Sequence, residues 1–137
     1  SKIIFHLESF EKTQMLNYLE NLPEIIKTTI QFGIAIGLGN PPEDIVDFLP
    51  YITTIQCMGI AAIGYQGQPY DDRVLEQIQK VKALYPEKVI SVDGAVSEDN
   101  IENLMEAGAT QFVIGSAIIQ SSNPQEVIRE FKKIIKK

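Results

Sequence analysis

The chain has 137 residues, 45% of them hydrophobic and 22% charged, with a formal net charge of −6. This is the make-up of a globular domain, and its acidic balance excludes the basic stripe that a nucleic-acid surface needs. No apolar run approaches the roughly 20 residues of a membrane span. The lone Cys57 excludes an internal disulfide, and a reduced thiol predicts a cytoplasmic setting with no signal peptide.

Taken in chain order, short apolar runs alternate with amphipathic stretches. Residues 3–7 read as a strand, and Met15, Leu19 and Leu22 then fall on one helical stripe. Residues 33–37 form a second strand, after which Pro41-Pro42-Glu43-Asp44 signals a helix start. Residues 53–58 form a third, with Cys57 inside it as a buried, inert thiol. A glycine-rich turn follows at residues 64–68, Asp71-Asp72 opens a helix, and Val74, Ile78, Val81 and Leu84 make its stripe. Residues 89–92 form a fourth strand ending in Asp93-Gly94-Ala95. A helix start at residues 97–100 then leads to the stripe of Ile101, Leu104 and Met105. Residues 111–114 form a fifth strand ending in Gly115-Ser116. The last helix opens at residues 122–126 and carries Val127, Ile128, Phe131, Ile134 and Ile135.

The count is five βα units in a single (βα)5 domain over residues 1–137. Strand alternating with helix implies a parallel sheet with right-handed crossovers. Two architectures satisfy that pattern. One is a partial TIM barrel and the other a flavodoxin-like, five-stranded doubly wound sheet; periodicity does not separate them.

The glycine turns point to an anion. Tyr65-Gln66-Gly67, Gly94-Ala95 and Gly115-Ser116 each follow a strand and contain no Lys or Arg. Backbone amides and helix starts there can hold a phosphate without a basic side chain. Asp93 reads in two ways, as a turn aspartate bonding local amides or as an acid/base group. His6 and Glu8 alternate onto the same side of the first strand, as a polar pair inside a barrel.

At the motif level the chain resembles the ribulose-phosphate 3-epimerase family of TIM-barrel sugar-phosphate enzymes. Ile4-Phe5-His6-Leu7-Glu8 is similar to the family's fourth strand, with its His-x-Glu, and Gly33-Ile34-Ala35-Ile36 to the fifth. Met58 with Gly64-Tyr65-Gln66-Gly67-Gln68 resembles the sixth strand and its Gly-Phe-Gly-Gly-Gln loop. Val92-Asp93-Gly94-Ala95 is similar to the seventh, Val-Asp-Gly-Gly. Phe112-Val113-Ile114-Gly115-Ser116 is similar to the eighth. The resemblance thus covers the family's last five βα units.

The resemblance implies a sugar phosphate or inorganic phosphate as partner, held at Tyr65, Gln66, Gly67, Gly94, Ala95, Gly115 and Ser116. It implies Asp93 as one of two acid/base residues and as a ligand to zinc, iron or manganese. The family's other acid/base aspartate and remaining metal ligands lie on its first three strands. The chain by itself is therefore expected to hold no metal, unless a partner completes the cage, and to have little epimerase activity. An unclosed sheet is further expected to bare inward-facing apolar residues such as Ile36, Met58 and Val92, and so to drive a homodimer. A ligand-free structural half-barrel that self-associates is the alternative.

Overall fold

The structure is a computed structural model that describes residues 1–61 and 69–136. Strands β1 (Lys2–His6), β2 (Gln31–Ile36), β3 (Thr54–Met58), β4 (Val89–Asp93) and β5 (Gln111–Val113) form one open sheet. Every neighbouring pair is parallel, and the spatial order is β1-β2-β3-β4-β5. That order decides the architecture. A flavodoxin-like sheet places its first strand between the second and third. Here every crossover steps the same way, and crossovers of one hand then put all helices on one face, as in a barrel wall. The flavodoxin-like alternative is set aside.

Between the strands lie α1 (Lys12–Glu20), α2 (Glu24–Thr29), α3 (Arg73–Leu84), α4 (Ile101–Ala107), α5 (Ser116–Ile119) and α6 (Pro124–Ile135). The Pro41-Pro42 signal opens a 3-10 segment, Pro42–Tyr51, in place of an α-helix. Pro50 within it has no N–H to donate and would clash with an α-helical preceding turn. Its C-terminal end is held by Lys88, the residue before β4, whose Nζ donates to the carbonyls of Leu49 and Ile52, both at 2.8 Å.

The register sorts the two faces of the sheet. Ile34, Ile55 and Ile90 stand side by side, as do Ile36, Cys57, Val92 and Phe112. They pack with Val74, Ile78 and Val81 of α3 and with Ile101 and Leu104 of α4 in the main core. The opposite face carries His6, Ala35, Gln56, Ser91 and Gln111 in register, a largely polar row.

The apolar residues expected to lie bare are therefore covered. Ile36 and Val92 belong to the helix side and are 0% exposed, while Met58 on the inner side is only 4% exposed. Curling of the sheet explains the burial of the inner face. A flat sheet would set β1 and β5 about 19 Å apart, yet Lys2 Nζ donates to Gln111 Oε1 at 3.0 Å. Along the hydrogen-bonded rungs Gln111 is level with His6, so its contact lies four residues back on β1. A stagger of about one residue per strand is the shear of an eight-stranded TIM barrel. The inner residues are buried because the wall wraps around them.

Candidate functional site

The carboxyl ends of the strands open on a cavity of about 1090 Å³. Its floor is His6, Met58, Asp93 and Val113, each the last residue of its strand. Gly94, Ala95, Gly115 and Ser116 line it as well. Six of the residues singled out by sequence, His6, Asp93 and these four, are thus brought to one cavity. Tyr65, Gln66 and Gly67 lie outside the described residues.

The turn after β4 has an unusual backbone. Gly94 takes φ 106° and Ala95 φ 56°, both in the left-handed region. Glycine adopts that region freely, whereas alanine does so at a cost in free energy. Asn100 helps to hold Ala95 there. Its Nδ2 donates to the Ala95 carbonyl at 2.8 Å, and its Oδ1 accepts from the Ser97 N–H at 2.9 Å. Sequence reasoning read residues 97–100 as a helix start only. The asparagine side chain just before α4 was the available signal for a clamp on the turn. On the other side, the Gly59 N–H donates to the Asp93 carbonyl at 2.7 Å. A Cβ at Gly59 would overlap the Gly94 carbonyl oxygen, so glycine is needed for this close approach.

Gly115 differs. Its φ is −117°, which any residue adopts, and a Cβ there would meet nothing within 4 Å. What its missing side chain does is leave the cavity open. The helix that follows, α5, has four residues. So short a helix gives little of the dipole field expected from a helix start. The amides of Ala95, Gly115 and Ser116 are left to supply positive field at this rim, because the Gly94 N–H is bonded to the Asp93 carboxyl.

Burial raises the Asp93 carboxyl above the usual aspartate range, while the Gly94 N–H and the His6 imidazole pull it down. Ionising Asp93 therefore works against folding once the pH exceeds the ordinary aspartate value. Asp93→Asn is expected to raise the thermal midpoint at pH 7. The gain should shrink towards zero near pH 3, where folded and unfolded states both carry the proton; melts at the two pH values check this.

Glu8 does not join His6. The strand ends at His6, and Glu8 falls in a one-turn 3-10 segment, Leu7–Ser9, exposed and away from the cavity. Alternation carries no further than the strand itself, which is why that pairing fails. Among the described residues the lining includes Asp72 and Asp99 but no Lys or Arg.

A divalent metal does not fit these residues. Among the described residues no three His, Cys, Asp or Glu side chains come together in a metal-holding group. Zinc, iron and manganese ordinarily need three or four such ligands or more. Cys57 is no substitute donor, since burial pushes its thiol up to about 12.

The model of the ribulose-phosphate 3 epimerase family matches residues 1–119. A ribulose-phosphate 3-epimerase of Buchnera aphidicola subsp. Baizongia pistaciae is 32% identical, covering 98% of this chain and 58% of that protein. The Mycobacterium bovis protein of the same name is 29% identical, over 74% of this chain and 45% of its own length. The chain thus spans about half the length of the curated relatives it matches. Among solved structures, a 3-hexulose-6-phosphate synthase superposes with a TM-score of 0.69 at 15% identity, over 97% of this chain and 60% of that one. That likeness supports the barrel-wall fold.

Proposed function

Because the chain belongs to the ribulose-phosphate 3-epimerase family, we propose that residues 1–137 act as a single (βα)5 domain that binds a sugar phosphate. Inorganic phosphate would occupy the same place. The observation that carries this reading is the convergence of Gly94-Ala95 and Gly115-Ser116 on one cavity with Asp93 in its floor. Turn amides suit a phosphate, while Asp93 and His6 suit the sugar end. Asp72, Asp93 and Asp99 oppose a dianion, and no Lys or Arg among the described lining residues compensates. Affinity for phosphate alone should accordingly be millimolar, about 4 kcal/mol.

The proposal stops at binding. Epimerisation by two opposed acid/base groups needs one on each face of the carbon, and Asp93 is the one floor residue with a carboxylate. The described residues are too few to hold a metal. A phosphate titration tests the reading. The amide resonances of Gly94, Gly115 and Ser116 should shift at concentrations on the order of tens of millimolar. If all three stay still, the ligand-free structural half-barrel replaces it.

Self-association belongs to the same proposal, but its motive moves to the edge of the sheet. Ile119 on α5 is 80% exposed, and β5 is an edge strand of the sheet, whose open side leaves backbone groups unpaired. Light scattering at micromolar concentration should give the mass of a homodimer. A monomer removes that part and leaves the binding site standing. No helix among the described residues is long and apolar enough to cross a membrane. The buried free thiol of Cys57 supports a cytoplasmic setting.

A further inference from the structure

Two polar side-chain atoms of residues that line this cavity are buried without a hydrogen-bond partner among the described residues: His6 Nδ1 and the Tyr70 hydroxyl. Buried polar atoms are rarely left so, because an unpaired one costs free energy until something satisfies it. The third such atom, Gln77 Oε1, belongs to a residue outside the cavity.

Tyr70 is well placed to act. The ring packs against the edge of the main core. The next residue is pinned to the end of β3, since the Asp71 N–H donates to the Gly59 carbonyl at 2.9 Å. Packing alone would be served by phenylalanine, so nothing among the described residues calls for the hydroxyl. Burial raises its pKa, and the Asp72 and Asp71 carboxylates raise it further. It stays protonated and ready to donate at neutral pH. Asp72, which lines the cavity, repels a phosphate dianion but not a neutral hydroxyl or carbonyl, whereas Asp71 is paired with Arg73 at 2.6 Å.

We infer that Tyr70 is a specificity-determining residue whose hydroxyl donates a hydrogen bond to a hydroxyl or carbonyl oxygen in the sugar part of the ligand. Tyr70 lines the cavity from the β3–α3 side, while the proposed function places the phosphate on the turns after β4 and β5. This inference rests on the phosphate reading above and extends it to the other end of the ligand.

Calorimetric titration of the whole chain with ribulose phosphate and, separately, inorganic phosphate tests it, using wild type and Tyr70→Phe. A neutral hydrogen bond of ordinary strength predicts that Tyr70→Phe weakens ribulose phosphate about three- to tenfold. Inorganic phosphate should bind both proteins alike. The thermal midpoint of Tyr70→Phe should be equal or higher, because an unpaired hydroxyl has been removed; a hydroxyl with a structural partner would give a fall. Unchanged affinity for ribulose phosphate overturns the inference while leaving the phosphate site intact. A parallel loss for both ligands, or a lowered midpoint, overturns it too by making Tyr70 a structural residue. If wild type binds neither ligand, the phosphate reading falls, and this inference with it.

Discussion

Gly115→Asp is expected to abolish phosphate binding and to leave the fold intact. Nothing lies within 4 Å of a Cβ at this position, and its φ of −117° is open to aspartate. The new carboxylate would stand at the rim of the cavity, where the anion is proposed to sit. Two like charges about 4 Å apart near a protein surface repel by about 4 kcal/mol. That equals the whole free energy of a millimolar complex. Gly115→Ala adds only a methyl group to the same open space and serves as the control. Amide shifts on phosphate titration should vanish for the aspartate variant and persist for alanine, with both melting near wild type. Retained binding in Gly115→Asp would move the anion away from this turn.

Phe48→Ala is expected to cost about 3–5 kcal/mol, the range for deleting a fully buried aromatic. Phe48 sits at 0% exposure in the 3-10 segment. It meets Phe10 edge-on at 5.7 Å, Phe10 meets Phe5 edge-on at 6.3 Å, and Phe5 stacks on Phe32 at 5.7 Å. This row of rings joins the β1 edge to the layer that covers β2. A domain of this size holds only about 5–15 kcal/mol in total, so the loss should be plain in a urea melt. The midpoint should fall with little change in slope. A loss below about 1 kcal/mol would mean that the segment is not part of the cooperative core.

The alternation of strand and helix was legible because it is a local property. Ile34 and Ile36 two apart, or Val74, Ile78 and Val81 at helical spacing, declare their element without reference to the rest of the chain. The glycine turns were legible for the same reason. A strand ending in Asp93-Gly94 or Ile114-Gly115 marks where the backbone must bend and where no side chain blocks an approach. The cavity residues Asp93, Gly94, Ala95, Gly115 and Ser116 all follow from such signals, as does the family resemblance they carry. Local signals failed where proline chemistry or strand length intervened, as with Pro50 in the 3-10 segment and Glu8 beyond the end of β1.

What the tertiary structure alone decided depends on which strand lies beside which. The order β1-β2-β3-β4-β5, not the element pattern, separates a barrel wall from a doubly wound sheet. Ile36, Met58 and Val92 look equally apolar in sequence, yet register and curl assign two of them to the helix side and one to the cavity floor. Lys2 and Gln111, 109 positions apart in the chain, meet only because the wall wraps. The Tyr70 hydroxyl, unpaired among the described residues, is likewise invisible to periodicity. A hydrogen bond, or the lack of one, is a fact about three-dimensional neighbours, and residues distant along the chain become neighbours only when the sheet assembles.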